Sequence, residues 1–298
     1  MQKRFPHLPV FLAVALVGGA GPALSTEPGE PAEPTELGYP TNEYVEDAVP
    51  EGGKLSGEEI WEKFLENRMH SAIQHQMVVS KDPGGGEQST RFWVRWKDFR
   101  DDDKKADPDG VLGKTLVKFD EPFDMRHTGF LMILKEHGVH DQFVYTASSR
   151  KVKRVNLRDV GVMGTDFSFD DIAFQDIEDA NYTRLDDEEI DGESVYVVQA
   201  VVKPEVDSAY SRSIAYIEKA HYVPLRARYW DHADVEVKEM KAKSDSIREF
   251  NGVWIATDST MFNLKRKTSS TLHVENIDPN IAISENLFST FRLGLHHK

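Results

Sequence analysis

The sequence predicts a mainly β protein of about eleven strands with two or three short helices. Three observations carry this reading. Residues 182–277 read as antiparallel strands joined by short turns, with Asp191-Gly192 and Asn251-Gly252 between strand-like segments. Both residues of such a turn adopt φ > 0, which makes these pairs the strongest short-range hairpin signal. Residues 193–202 (ESVYVVQAVV) carry apolar groups on both faces, so this strand should be covered on both sides. Residues 253–264 alternate instead: Val253, Ile255, Thr257, Ser259 and Met261 share one face, and Trp254, Ala256, Asp258, Thr260, Phe262 and Leu264 the other. Strands in this number close, fully or partly, into a sandwich or barrel. A curved sheet with two partly apolar faces holds something on one of them, either its own helices or a ligand.

Composition narrows the partners. The chain has 298 residues, a formal charge of −15, 39% hydrophobic residues and no cysteine. Such acidity repels phosphate backbones and excludes nucleic acid as a partner. Without cysteine there is no disulfide, no thiolate metal site and no lipid-modified N-terminal cysteine.

Taken in order, residues 1–25 read as a secretory signal. Lys3 and Arg4 precede an apolar run at 10–17, and Ala23 and Ser25 are the small residues at a cleavage site. The run is too short to span a bilayer as an anchor. Residues 26–55 form a leader rich in Pro and Glu that cannot bury enough apolar surface to order itself. A single domain is expected over 56–298. Ser56 and Glu59 form a capping box, and the helix they start presents Ile60, Trp61, Phe64, Leu65 and Met69 on one side, ending near His70.

A hairpin follows. Ile73, His75, Met77 and Val79 form one row, residues 81–86 the turn, and Phe92, Val94 and Trp96 one face of the returning strand, with Trp93 and Arg95 opposite. Beyond an acidic loop at 101–110, strands are expected at 114–119, 128–134 and 142–146. Residues 149–158 hold Arg150, Lys151, Lys153, Arg154 and Arg158, the concentrated positive charge of an acidic chain. Ser168 and Asp171 can cap a short helix. Later strands fall at 211–218, 223–230, 235–241 and 269–277, with residues 246–250 leading into the Asn251-Gly252 turn. The charges of VEVKEMK at 235–241 mark that strand as largely solvated. Leu287, Phe288, Phe291 and Leu293 make an apolar tail that should fold back onto the body.

Several short motifs occur in a specific order. Arg126-His127-Thr128-Gly129-Phe130-Leu131 precedes the basic stretch at 150–154, and Gly164-Thr165-Asp166-Phe167-Ser168-Phe169-Asp170-Asp171 follows it. Ala215-Tyr216-Ile217-Glu218-Lys219, Tyr222-Val223-Pro224-Leu225, Tyr229-Trp230-Asp231 and Asn251-Gly252-Val253-Trp254 come next. Together they resemble the bacterial outer-membrane lipoprotein-sorting family, over most of the chain from Ser56 to Leu293. The resemblance implies a fold like the periplasmic carriers LolA and LolB, an incomplete antiparallel barrel with helices as its lid and an apolar hollow for acyl chains. It also implies a periplasmic location and, more loosely, an inner-membrane lipid exporter of the resistance-nodulation-division type as partner. In those carriers a basic residue helps to hold the lid shut, and Arg91 or Arg95 is the candidate counterpart.

An acyl chain needs a dry groove lined by large, adaptable apolar groups. Met77, Phe92, Val94, Trp96, Tyr216, Tyr229, Trp254 and Phe262 are the candidate lining, against the alternative that each is ordinary core. Arg150, Lys151, Lys153 and Arg154 are the candidate partner contact. The expected function is therefore a lipid or lipoprotein carrier, with a periplasmic sensor or adaptor on the same fold as the alternative. No cofactor, metal or catalysis is expected. Asp107-Pro108-Asp109-Gly110 lacks the other ligands of a calcium loop, His137 and His140 lie in a turn, and Gly84-Gly85-Gly86 lacks the Lys-Ser/Thr of a phosphate loop.

Overall fold

The computed structural model describes residues 54–100, 106–135, 140–155, 164–168, 171, 177–204, 206 and 208–295. The expected signal segment, nearly all of the leader, the start of the acidic loop, His137, Arg158, Phe169 and Asp170 lie outside them.

The capping box forms as expected. The Ser56 backbone N–H donates to Glu59 Oε2 at 2.8 Å, and the Glu59 N–H donates to Ser56 Oγ at 3.2 Å. Helix α1 (Gly57–Glu66) buries Ile60, Trp61, Phe64 and Leu65. It stops at Asn67, where the backbone leaves the helical region (φ −76°, ψ 69°), rather than near His70. A Cβ on Gly57 would lie 2.7 Å from the Arg184 backbone nitrogen, so glycine permits the close approach of the helix start to the sheet.

Sixteen strands follow among the described residues, against about eleven expected. They are β1 (Ser71–Lys81), β2 (Glu87–Asp98), β3 (Val111–Glu121), β4 (Gly129–Lys135), β5 (Asp141–Thr146), β6 (Lys151–Val155), β7 (Ala180–Arg184), β8 (Glu188–Ile190), β9 (Glu193–Val202), β10 (Arg212–Glu218), β11 (Pro224–Trp230), β12 (Glu236–Ala242), β13 (Ile247–Phe250), β14 (Val253–Ala256), β15 (Asp258–Asn263) and β16 (Thr268–Pro279). A short helix, α2 (Thr290–Leu293), closes the described chain. One antiparallel sheet runs β6-β5-β4-β3-β2-β1-β16-β15-β12-β11-β10-β9-β7, with β8 also on β9. Its two ends are not paired to each other, so the sheet is a half-barrel and not a closed one. The fold class read from the sequence therefore holds. Among the described residues helix α1 lies on the sheet, joined by the separate β13-β14 hairpin.

Register defines the inner face. Gln74 pairs with Val94, Val94 with Val117 and Val117 with Phe130. On the other wing Val198 pairs with Ala215, Ala215 with Ala227, Ala227 with Met240 and Met240 with Met261. One large cluster lines this face from β5 round to β11, and α1 packs on its β7-β9-β10 end against Tyr182, Val198, Ala200 and Ile217. Strand β9 is indeed covered on both sides, with Val195 and Val197 in an outer cluster. Strand β12 is not the solvated strand expected. It sits between β11 and β15 with Lys238, Met240 and Ala242 buried, while Glu236 and Glu239 face outward onto Arg228 and Arg226. Its charges alternate with buried residues, so only one row is wet.

The tail folds back on the outer face of β3 to β5. Ile283, Phe288 and Leu293 pack on Leu116, Leu131 and Tyr145, although Phe291 stays 74% exposed. Gly129 leaves room for Leu293, whose Cδ1 would lie 2.8 Å from a Cβ there. Lys118 is buried beneath α2 and donates through Nζ to the Leu293 carbonyl. Burial pulls its pKa down from 10.5 to about 8. Between those values the unfolded chain binds a proton that the folded chain does not, so this lysine makes stability rise with pH across that window. Urea unfolding should show wild type gaining on Lys118→Met from about pH 8 to 10.5, with a constant difference below pH 8. A difference independent of pH throughout would refute the assignment.

Candidate functional site

The strand expected over 253–264 breaks at Thr257. Its first half, β14, pairs only with β13, and its second half, β15, joins the main sheet. Thr257 is diverted: its N–H and Oγ1 both donate to the Ser246 carbonyl, at 3.1 and 3.0 Å. The β13-β14 hairpin is thereby carried across the inner face. Asn67 holds it there, its Nδ2 donating to the Trp254 carbonyl at 2.7 Å while the Trp254 N–H donates to Asn67 Oδ1 at 2.8 Å. The helix end and the hairpin form one clasp. His221 packs on the Trp254 ring at 3.8 Å between centroids.

A second covering comes from residues 164–168. Thr165, Asp166, Phe167 and Ser168 are all buried, and Phe167 joins the inner cluster. Two carboxylates tie this segment down. Asp166 accepts from Ser270 Oγ at 2.9 Å and from Thr268 Oγ1, both on β16. Asp171 accepts from Lys238 Nζ at 2.6 Å, Tyr210 Oη at 2.6 Å and Ser168 Oγ at 2.8 Å. The Ser168 N–H also donates to Asp171 at 2.6 Å, the contact expected of a capping acid. Burial, and then the Asp171 charge, push the Tyr210 hydroxyl up, so it stays protonated and donates. The same two causes raise Tyr229.

Between sheet, helix, hairpin and segment lies a mostly apolar cavity of about 100 Å³. At ~30 Å³ per water in the liquid, that is room for about three waters. The sheet contributes Trp96, Tyr229, Met240, Met261 and Leu272, the helix Phe64, the hairpin Val253 to Ala256, and the plugging segment Phe167. Two charged side chains reach its wall. Asp171 is neutralised by Lys238, and Arg68 lies 3.4 Å from Asp98. Burial, and then Arg100, lower the Arg68 pKa to about 10, with Asp98 opposing. Burial pushes the Asp98 carboxyl up, but Arg100 and Arg68 outweigh it and hold it below its ordinary value.

Of the residues singled out in the sequence, Trp96, Tyr229 and Trp254 meet at this cavity. Phe92 and Val94 lie in the same inner cluster without reaching its wall. Three others require correction. Met77 belongs to the outer row of β1, because pairing with β2 puts Gln74 and Gln76 opposite Val94 and Phe92. Phe262 faces outward under Lys241, since the break at Thr257 resets the alternation and turns Met261 inward. Tyr216 alternates with Ala215 and Ile217, which face α1, and so lies in the outer cluster. Both lid candidates lie on the outer side of β2. Arg91 pairs with Glu121 and Glu275 at the surface, and Arg95 covers the outward Trp93 at 4.4 Å. Arg150, Lys151, Lys153 and Arg154 lie exposed at edge strand β6, with Arg154 paired to Asp141. Charges there protect an open edge from pairing with another chain.

Arg68, Asn67 and Met240 were missed. Their polar or charged neighbours hid them, and no sequence spacing marks a clasp 187 residues apart. The turns behave as read: Asp107 Oδ1 accepts from the Asp109 and Val111 N–H groups, and Asp82 Oδ1 from those of Gly84 and Gly86. Among the described residues no group of three or more His, Asp or Glu is placed to hold a metal, and no helix is long and apolar enough to cross a membrane.

An open antiparallel sheet curled round an apolar hollow defines the class, that of the lipoprotein-sorting fold. Three solved structures share it. A domain assigned to outer membrane lipoprotein sorting from Vibrio parahaemolyticus is 22% identical, with TM-score 0.69 over 80% of this chain and 98% of its own. A DUF1329 family protein from Desulfovibrio piger gives 20% and 0.72 over 80% and 97%. A LolA superfamily protein from Nitrosomonas europaea gives 18% and 0.61 over 80% and 100%. The chain itself belongs to the family whose model, described only as an uncharacterized-protein family, matches residues 112–294. No curated protein matches the chain.

Phe167 is the side chain by which the plugging segment meets the hollow. Replacing it with Ala should cost roughly 3–5 kcal/mol in urea unfolding, the range for a buried phenylalanine. A loss below about 1 kcal/mol would show that the segment is not packed in place.

Proposed function

We propose that this protein is an exported periplasmic carrier that holds a lipid or lipoprotein acyl chain in the hollow. The observation that carries the reading is the cavity of about 100 Å³ left between the inner face and its coverings. Protein interiors are normally filled, so unfilled apolar space beneath separate covering pieces calls for an occupant. Each buried methylene adds about 0.8 kcal/mol. The coverings suit such a role, since a hairpin held by Asn67 and a segment held by two carboxylates can shift apart without breaking the sheet. The signal-like start at 1–25 supports export. The motif resemblance to the lipoprotein-sorting family supports an inner-membrane transporter of the resistance-nodulation-division type as the source or destination of the cargo. The reading includes no catalytic step.

Delipidated protein should take up long-chain lipids in a titration, and protein purified gently from its source should carry lipid in native mass spectra. Ala242→Phe, which fills the hollow from β12, should weaken uptake by tenfold or more. Purification free of lipid together with no measurable uptake would sink the carrier reading. A protein partner captured equally with and without lipid would favour the sensor or adaptor alternative.

A further inference from the structure

The hollow is apolar along most of its wall, with Asn67, Arg68, Gln74, Asp171 and Ser259 as its polar members. Trp96 lines it and is only 2% exposed, and its indole Nε1 is buried with no hydrogen-bond partner among the described residues. A buried N–H left unpaired is costly, and tryptophans in such positions ordinarily find an acceptor. Two residues further along β2, and so on the same face, stands Asp98, which Arg68 approaches to 3.4 Å. Arg68 also lines the cavity, and its guanidinium presents N–H donors that fit a planar oxyanion. Arg100 takes Asp98 through two bonds, Nε to Oδ1 at 2.8 Å and Nη2 to Oδ2 at 2.5 Å. Arg68 and Trp96 thus both line the hollow, while the Asp98 carboxylate and the Arg100 guanidinium stand behind Arg68 rather than on the wall. The carboxylate on the wall, Asp171, is held 2.6 Å from Lys238 and adds little repulsion.

We propose that the cargo bears a free carboxylate, as a long-chain fatty acid does, and that its head is taken by Trp96 Nε1 and Arg68 while its chain runs along Met240, Met261 and Leu272. The inference rests on the carrier reading and narrows it. An esterified acyl chain offers only a weak carbonyl acceptor to the same groups, whereas a carboxylate makes charge-assisted hydrogen bonds with both.

The test is a calorimetric titration of the delipidated full-length protein with palmitate, methyl palmitate and hexadecyl phosphate. Wild type should bind palmitate at least tenfold tighter than the methyl ester. In Trp96→Phe, which keeps a ring but lacks the N–H, and in Arg68→Gln, that ratio should fall toward one. If either variant fails to fold, the wild-type ratio still decides the matter. Equal affinity for acid and ester overturns the head-group inference and leaves the carrier reading standing. Binding of neither overturns both. Tighter binding of the alkyl phosphate than of palmitate replaces the carboxylate with a phosphate head and overturns the assignment.

Discussion

An open sheet of thirteen consecutive strands curls, and its inner face then presents more apolar side chain than one ten-residue helix covers. Helix α1 shields only the wing of β7, β9 and β10. Among the described residues the remainder is covered by pieces of chain brought back over it, the β13-β14 hairpin and residues 164–168, and these do not interlock like strands of the sheet. Such coverings leave gaps where they meet. The hollow lies at that junction, bounded by helix, hairpin, plugging segment and sheet together.

Irregular chain laid over an apolar face must satisfy its own polar groups, which explains the buried carboxylates beside the hollow. Asp166 ties one end of the plugging segment to Thr268 and Ser270, and Asp171 ties the other to Lys238 and Tyr210. A buried ion pair contributes little net stability against a well-packed apolar alternative, yet losing one partner costs several kcal/mol. Pairs of this kind specify where a segment docks more than how strongly. The Asn67 clasp acts similarly: it recognises one backbone position, at Trp254, through both of its hydrogen-bonding groups.

Many of the strands were legible because turn chemistry and period-two alternation are local, whereas the pairings of β1 with β16 and of β12 with β15 join distant segments that no local signal marks. The capping box at Ser56 and the turns at Asp191-Gly192 and Asn251-Gly252 formed where the residues placed them. Which row of a strand faces inward was legible only where one row was plainly more apolar, as in Phe92, Val94 and Trp96. In β1 the inner row includes Gln74 and Gln76, so hydrophobicity pointed to Met77 on the wrong side. Phe262 was misplaced by a single interruption at Thr257, whose cause is a carbonyl eleven residues away. The sequence showed the aromatic residues of the hollow but not its polar members. Arg68 reads as a helix-end charge until β2 brings Asp98 beside it.

The outer face is closed by different means on its two wings. Over β3 to β5 the chain's own tail is packed, with Leu293 seated on Gly129 and Lys118 engaging the end of α2. Over β10 and β11 the covering is a layer of arginines, with Arg226 over Tyr216 at 5.2 Å and Arg228 and Arg212 over Trp230 at 5.0 and 3.9 Å. Glu239 and Glu236 on β12 hold the first two in register. A guanidinium on an aromatic face shields it from water while staying hydrated at its edge, so no hydrocarbon is needed to cover the ring. Much of the apolar surface on the outside of these two wings is thus answered by the chain itself, by tail on one and by cations on the other. On the inside the answer stops short by about 100 Å³, beside an indole N–H that no described residue accepts. The cargo proposed above, apolar along its length and anionic at its head, would meet both deficits at once.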